Sequence, residues 1–196
     1  MAEIVLVRHA QTAWSGRRYS GRSDPTLNRA GRAAAARVAA DIRTWLSADA
    51  WIVSSPRRRA VETATSIASA LGNAPIELDD RWAETDFGDA EGLPFDELTA
   101  TAPEIAARLL AGDGEIDWPG GEAAATLAAR IADAWNDLVR GAPKTVVVVT
   151  HGGPIRVAVG LAMGSPSAAV AVLPPAGTVR LVSAGPGRAW HVVEGP

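Results

Sequence analysis

The feature that most constrains the fold is an unbroken run of one threonine and four valines at positions 145–149. Pro143 precedes this run and Gly152-Gly153 follows it, so residues typical of turns bound it on both sides. A short apolar run without alternating polar residues is typical of a strand buried on both faces, as in a parallel sheet. Residues 4–8 form a second run of this kind. The chain is therefore expected to be built around a sheet that other elements cover on both sides.

Helical and extended segments alternate along the rest of the chain. Further strands are predicted at 51–54, 76–78, 170–173, 178–182 and 190–193. Helices are predicted at 28–46, 59–71, 103–111, 122–139 and 154–163. This alternation is typical of a three-layer α/β/α sandwich, in which a mostly parallel central sheet carries helices on both faces. We expect a single domain over residues 1–196, with a small elaboration at about 82–121 that lies over one end of the sheet.

Composition excludes several classes of protein. The 196 residues are 47% hydrophobic and 21% charged, which is globular composition. The formal net charge is −3, whereas nucleic-acid binders carry an excess of Lys and Arg, so no nucleic-acid partner is expected. The absence of cysteine excludes disulfides and thiolate metal sites. The sequence contains neither a signal-peptide pattern nor the ~20 apolar residues of a membrane helix, so we expect a cytoplasmic protein without a membrane partner.

Two of the three histidines stand at the ends of predicted strands. His9 follows the first strand, and His151 follows the run at 145–149 after one residue. A third strand ends in the serines at 54–55 and leads to three arginines at 57–59. Ligands of such sheets bind beyond the carboxyl ends of the strands, so these residues predict a cationic pocket suited to phosphate. A metal site is the alternative, but two histidines without cysteine would need acidic partners at matching strand ends, so no metal is expected.

Four segments of the chain form an ordered set of motifs: LVRHAQT at 6–12, SPRRRAVETA at 55–64, ETDFGDAEG at 84–92 and VTHGG at 149–153. Together they resemble the motifs of the histidine phosphatase superfamily, which is also called phosphoglycerate mutase-like. A chance match to one motif would be weak evidence, but four in order over residues 4–160 make the resemblance highly specific.

The resemblance implies a role for each of five residues. His9 is the nucleophile that becomes phosphorylated, and Glu84 is the proton donor. The phosphate pocket consists of Arg8, Arg59 and His151. Five more residues are expected to contact the phosphate or the substrate, namely Ser15, Tyr19, Ser20, Gly21 and Gly152. Phosphoryl transfer depends mainly on positioning and charge stabilisation, which two arginines and a second histidine supply, so no cofactor is expected.

The chain departs from the family pattern at two positions. Ala10 stands where the family usually has Gly, which requires a backbone without positive φ at that residue. Ser15 stands where many members have an Asn that touches the phosphate, and its shorter side chain weakens that contact. Since neither change removes a catalytic group, we expect an active protein.

Other acidic residues near Glu84 could compete for its role. Asp86, Asp89 and Glu91 are all expected to be solvated or capping residues, and by its spacing Asp86 is also the rival proton donor. The third histidine, His191, lies outside every motif and is expected to be structural.

Within the superfamily, the chain resembles the phosphatases more than the longer, cofactor-dependent mutases. The segments at 19–28 and 118–122 are similar to α-ribazole phosphatases and broad-specificity acid phosphatases. We therefore expect a phosphomonoesterase that acts on a small phosphorylated metabolite, as a monomer or a homodimer. Two alternatives stay open. One is mutase-type phosphoryl transfer, which needs a bisphosphorylated primer, and the other is a non-catalytic module that binds a phosphorylated partner.

Overall fold

The sheet that the sequence predicts is present, and it has six strands in the described part of the chain. In the computed structural model, which describes residues 2–46, 49–112, 115–141, 145–165, 173–184 and 189–193, the strands are β1 (Ala2–Arg8), β2 (Trp51–Ser54), β3 (Ile76–Leu78), β4 (Thr145–Thr150), β5 (Thr178–Ser183) and β6 (Trp190–Val193). The α-helices are α1 (Arg29–Arg43), α2 (Arg58–Ala70), α3 (Leu98–Thr101), α4 (Pro103–Leu110), α5 (Ala124–Gly141) and α6 (Gly152–Met163). Two short 3-10 helices span Asp80–Trp82 and Gly88–Ala90.

The strands lie in the order β3-β2-β4-β1-β5-β6. The first four strands of the chain run parallel to one another, whereas β5 is antiparallel to β1 and β6 is antiparallel to β5. The predicted α/β class with a mostly parallel sheet is confirmed. At the centre of the sheet, the register pairs Arg8 of β1 with Thr150 of β4. Consequently His9 and His151, which follow these two residues, leave the sheet side by side.

Helices cover both faces of the sheet, which gives the predicted three layers. On one face Leu6 of β1 belongs to a core cluster with Ile131 of α5 and Ile155 of α6. On the other face Val7 belongs to a cluster with Ile67 of α2 and with residues of α1. Because successive strand residues point to opposite faces, the apolar runs supply both clusters. Burial of each such side chain contributes roughly 1.5–3 kcal/mol, so the two central strands form a rigid base for the residues that follow them.

Most predicted elements agree with the structure to within a few residues, and local signals explain their ends. Helix α1 begins after Asn28, whose side chain accepts a hydrogen bond from the Gly31 N–H at 2.7 Å. Helix α6 begins directly after His151 and ends at Gly164, which has the left-handed φ of 64° that glycine adopts at low cost. Of the predicted strand at 170–173, only Leu173 lies within the described residues, and it is not in a strand.

The predicted elaboration at about 82–121 contains a 3-10 helix and helices α3 and α4. It has a small core of its own, formed by Ala90, Leu98, Ile105, Ala106, Ile116 and Trp118. Tyr19 and Phe87 pack against this core, so the segment adjoins the end of the sheet where the histidines lie. The limits of the domain stay predictions. None of the helices in the described part of the chain is long and apolar enough to cross a membrane.

Candidate active site

The carboxyl ends of β1, β2 and β4 form one edge of the sheet, and the central predicted residues lie there. Arg8 ends β1 and His9 follows it, while His151 follows β4. Arg59 lies in the first turn of α2, the helix that comes after β2. Arg8, His9 and Arg59 line a cavity of about 150 Å³. The fold therefore brings residues from three distant motifs to one place.

His9 is buried and electrically neutral. Its Nδ1 lies 2.8 Å from the backbone oxygen of Ala10. A carbonyl oxygen only accepts hydrogen bonds, so Nδ1 carries the proton and Nε2 keeps its lone pair. Burial, followed by the positive charges of Arg59 and Arg8, lowers the pKa of His9 to about 3. At neutral pH the imidazole is therefore in the form that can act as a nucleophile.

His151 lies beside His9, with the two ring centroids 5.0 Å apart. Its Nε2 is 2.8 Å from Oγ of Ser55. That hydroxyl also accepts a hydrogen bond from the Arg57 N–H at 3.3 Å, so its own proton is available to Nε2. In the tautomer in which Nε2 accepts this proton, Nδ1 carries the ring proton. Nδ1 is buried without a hydrogen-bond partner among the described residues. Burial and the charge of Arg59 lower the pKa of His151 well below its usual range.

Hydrogen bonds to backbone oxygens fix the guanidinium groups of both arginines. Arg59 is 1% exposed. It donates from Nη1 to the Ser23 oxygen and from Nη2 to the Ser20 oxygen, both at 2.7 Å. Arg8 donates from Nη1 to the Leu173 oxygen. In both arginines Nε is buried and has no hydrogen-bond partner in the described part of the chain. Two fixed positive charges with a free donor each suit a bound anion.

Glu84 lines the same cavity. Burial raises the pKa of its carboxyl group, against the opposing effects of the Thr85 N–H, Arg59 and Arg8. Its Oε1 accepts hydrogen bonds from the N–H groups of Thr85 at 3.0 Å and Gly153 at 3.3 Å. A Cβ atom at Gly153 would lie 2.7 Å from Oε1, so only glycine allows this approach. The raised pKa suits a group that donates a proton.

Opposite the sheet, aromatic side chains form the outer part of the cavity. Trp14, Tyr19, Phe87 and Phe95 all line it. The ring centroid of Tyr19 lies 4.6 Å from that of Phe95 and 5.3 Å from that of Phe87. Phe95 is nevertheless 44% exposed. An exposed aromatic ring at the mouth of a cavity is typical of a surface that contacts a ligand.

Two of the other predicted contacts, Ser15 and Ser20, also line the cavity. Oγ of Ser15 accepts a hydrogen bond from the Thr12 N–H at 2.9 Å. The same oxygen lies 3.2 Å from Oγ1 of Thr12, so the hydroxyl makes its contacts within the loop. The role of both serines in binding stays a prediction.

Gly21 and Gly152 lie outside the residues that line the cavity. The N–H of Gly21 donates to Oε1 of Glu91 at 2.8 Å. A Cβ at Gly152 would be 3.9 Å from Cζ of Arg8, so this glycine borders the guanidinium from the α6 side. Their direct contact with phosphate stays a prediction.

Ala10 has the ordinary backbone that its side chain requires. Among the described residues, positive φ outside glycine is confined to Asn73 and Ala176. The Ala10 N–H donates to Oγ1 of Thr63 at 3.0 Å, and that hydroxyl donates to the Arg59 oxygen at 2.7 Å. Thr63 lies in the second motif but was not singled out from the sequence. It connects the loop that follows His9 to the helix that carries Arg59.

The other acidic residues of the third motif do not line the cavity. Asp86 accepts a hydrogen bond from the Gly88 N–H at 3.0 Å and pairs with Arg22 at 3.4 Å, and it does not line the cavity. Asp89 is exposed, as expected for a solvated residue. The expectation for Glu91 needs correction, because its half-buried carboxylate accepts hydrogen bonds from a loop seventy positions earlier. Among the described residues, no group of three or more histidines and acids is arranged to hold a metal ion.

Comparison with known proteins indicates the family to which the chain belongs. A family model described as histidine phosphatase superfamily (branch 1) matches residues 4–193. A bifunctional protein of Mycobacterium tuberculosis is 39% identical over 166 residues, which are 84% of this chain and 45% of that protein. The chain thus spans less than half the length of that relative.

Two further matches are named as phosphatases. A glucosyl-3-phosphoglycerate phosphatase of Mycolicibacterium vanbaalenii is 35% identical over 177 residues, 83% of this chain and 75% of that protein. The solved structure of a mycobacterial glucosyl-3-phosphoglycerate phosphatase in complex with VO3 is similar with a TM-score of 0.87 and 30% identity, and covers 98% of both chains. Motifs, fold and family match coincide over nearly the whole chain, so this protein belongs to the histidine phosphatase superfamily.

Proposed function

We propose that this protein hydrolyses a small phosphate monoester through a phosphohistidine intermediate on His9, with Glu84 as general acid and base. The observation that carries this proposal is the state of His9. It is a buried, neutral imidazole whose Nε2 keeps its lone pair beside two arginines. A site that only binds phosphate would bind it more strongly with a positively charged histidine. Attack of the histidine on phosphorus requires the neutral ring.

The free donors around His9 suit a phosphoryl group. Nε of Arg8, Nε of Arg59 and Nδ1 of His151 are buried without hydrogen-bond partners among the described residues. The three non-bridging oxygens of a phosphate ester are acceptors, and these three groups can donate hydrogen bonds to them. Fixed positive charge at these oxygens also stabilises the transition state of phosphoryl transfer, which spreads charge over them.

The reaction divides into two displacements. In the first, Nε2 of His9 forms a bond to phosphorus, the bond from phosphorus to the ester oxygen breaks, and the departing oxygen takes a proton from Glu84. In the second, the Glu84 carboxylate takes a proton from a water molecule as its oxygen attacks phosphorus. The P–N bond then breaks, which releases inorganic phosphate and restores neutral His9 and protonated Glu84.

The substrate is a compact ester. The cavity of about 150 Å³ accommodates the phosphoryl group and a small part of the alcohol beyond it. Relatives named as glucosyl-3-phosphoglycerate phosphatase and phosphoserine phosphatase make small phosphorylated metabolites the class to test first. The resemblance to α-ribazole phosphatases, the cytoplasmic location and the monomeric or dimeric state stay predictions.

Release of inorganic phosphate tests this proposal against both alternatives. Wild type should release phosphate from members of a panel of metabolite phosphates in the presence of EDTA, without a bisphosphorylated primer. His9→Ala should reduce release to background. The matched control is His191→Ala, because His191 is exposed on β6 and far from every motif, and it should behave as wild type.

Three outcomes would reject the proposal. Transfer to a second acceptor without phosphate release would indicate a mutase, and tight binding without turnover would indicate a binding module. Loss of activity in EDTA with recovery on adding a divalent metal would contradict the covalent-histidine mechanism.

A further inference from the structure

The carboxylate of Glu91 accepts five hydrogen bonds. Oε1 accepts from the N–H groups of Gly21 and Arg22, both at 2.8 Å, and from that of Phe87 at 3.3 Å. Oε2 accepts from the N–H of Ser23 at 3.2 Å and from its hydroxyl at 2.7 Å. Partial burial alone would raise the pKa of Glu91, but the hydrogen bonds from Ser23, Arg22 and Phe87 outweigh it and lower that pKa. Glu91 therefore stays ionised and holds residues 21–23 by their backbone.

The same short loop holds Arg59 from its other side. Arg59 donates to the backbone oxygens of Ser20 and Ser23 at 2.7 Å and of Gly21 at 3.2 Å. The N–H groups of this loop thus face Glu91 while its carbonyl groups face Arg59. The loop at 20–23 has no helix or strand of its own, so these contacts fix its position.

The loop is also pressed against the third motif. A Cβ at Gly21 would lie 1.9 Å from the backbone oxygen of Thr85 and 2.5 Å from Oε1 of Glu91. Such close packing leaves one position for the loop relative to the segment that carries Glu84. The carbonyl groups that orient Arg59 are therefore placed by the third motif.

We propose that Glu91 is a positioning residue for the phosphate pocket, which acts by fixing the loop at 20–23 and, through it, the guanidinium of Arg59. The inference rests on the proposed function, because that function assigns Arg59 to the phosphate. Glu91 is not among the residues that line the cavity next to His9. It orders the carbonyl groups that occupy both terminal nitrogens of Arg59 and leave Nε free for the anion.

Calorimetric binding of inorganic phosphate tests this role without requiring turnover. Glu91→Gln keeps the size of the side chain but removes its charge and turns an amide toward the loop N–H groups. Because hydrogen bonds to a charged group are involved, we expect phosphate to bind roughly 10- to 100-fold more weakly. The matched control is Asp89→Asn, which removes an exposed carboxylate two positions away and should leave binding unchanged. Equal phosphate affinity in Glu91→Gln and wild type would overturn the proposal.

A double-mutant cycle separates positioning from a general effect on stability. If Glu91 acts through Arg59, adding Glu91→Gln to an Arg59→Ala background should cause no further loss of kcat/KM. An additional loss equal to that in the Arg59 wild-type background would show that Glu91 does not act through Arg59, and would overturn the proposal.

A milder variant covers the case in which Glu91→Gln does not fold. Ser23→Ala removes only the 2.7 Å hydroxyl contact to Oε2, so it should weaken phosphate binding about 2- to 5-fold, and again only when Arg59 is present. No loss in this variant would contradict the proposal. Failure of wild type to bind phosphate at all would instead reject the proposed function, so the two failures are distinguishable.

Discussion

The two sides of the cavity differ in how they are held. The strand-end side consists of Arg8, His9 and Arg59, and His151 lies next to His9 without lining the cavity itself. The exposed fraction is 7% for His9, 1% for Arg59 and 0% for His151. The loop side consists of residues 14–20 and 84–95, and its Phe95 is 44% exposed. Sheet hydrogen bonds and two core clusters fix the first side. The loop side instead consists of loop segments with one short 3-10 helix. Under the proposed function, the strand-end side binds the phosphate and the loop side contacts the alcohol.

Backbone hydrogen bonds connect the two segments of the loop side to each other. The Tyr19 N–H donates to the Leu93 oxygen at 3.1 Å, and the Gly92 N–H donates to the Tyr19 oxygen at 3.0 Å. Such pairing orders the aromatic rings without burying them. Changes on the strand-end side should consequently affect all phosphate esters alike, while changes on the loop side should depend on the alcohol.

Glu84 lies where the two sides meet, and its loss gives the largest effect among the variants that keep His9. General acid catalysis contributes typically ~10²–10⁴-fold, so Glu84→Gln should lose about that much kcat/KM on alkyl phosphates. p-Nitrophenyl phosphate has a stabilised leaving group, so the loss of kcat/KM on this ester should be distinctly smaller. Asp86→Asn serves as the control and should retain activity on both esters, because Asp86 lies outside the cavity lining. Equal losses on the two esters in Glu84→Gln would reject it as the acid.

The pH profile provides an internal check on this assignment. Burial raises the pKa of Glu84, so the protonated acid persists above its ordinary range and is lost as pH rises through the raised value. Activity on alkyl esters should fall over that range, and the fall should be absent in Glu84→Gln. On the acid side, activity should persist until His9 protonates near its lowered pKa of about 3.

Gly153→Ala should displace Glu84 without removing it. The new Cβ would lie 2.7 Å from Oε1 and 2.8 Å from Oγ1 of Thr85, so the carboxylate must shift. Misplacement of a catalytic group by about 1 Å can cost on the order of 10²-fold, and we expect roughly 10- to 100-fold on alkyl phosphates. Gly141→Ala is the matched control, since its Cβ meets no atom within 4 Å. Full activity of Gly153→Ala on alkyl phosphates would contradict the placement of Glu84.

Phe95→Ala should have the smallest and most selective effect. An aromatic contact contributes about 0.5–1.5 kcal/mol, so kcat/KM for p-nitrophenyl phosphate should fall roughly 2- to 10-fold, with little change for a small alkyl phosphate. Leu110→Ala is the control, because Leu110 is 88% exposed and does not line the cavity. An equal loss on both esters would mean that Phe95 supports the fold and not the leaving group.

The strand-end side was largely predictable from the sequence. Unbroken apolar runs identify β1 and β4, and the residues that follow such strands lie at one edge whatever the details of the loops. The direction of β5 was not predictable. Gly177, which directly precedes β5, accepts a hydrogen bond from the Arg8 N–H at 2.9 Å, so β5 starts at the site edge and runs antiparallel to β1. The apolar pattern of β5 is compatible with either direction.

The loop side was predictable only in part. The sequence predicts that Tyr19 contacts the phosphate or the substrate, and Tyr19 does line the cavity. Glu91 looked like a solvated acid because its partners, the N–H groups of Gly21, Arg22 and Ser23, are backbone groups that any sequence would offer. Such contacts depend on how two loops pack against each other, and no local sequence pattern in either loop predicts them.

Trapping of the phosphohistidine intermediate would show whether phosphate is transferred to His9. Enzyme in excess over a labelled phosphate ester is quenched in alkali within one turnover, and the labelled peptide is mapped by mass spectrometry. We expect a transient, acid-labile phosphate on the peptide that contains His9, which rises and falls as inorganic phosphate appears and is absent from His9→Ala. Complete turnover without any labelled protein, or label on another residue such as His151, would contradict the account.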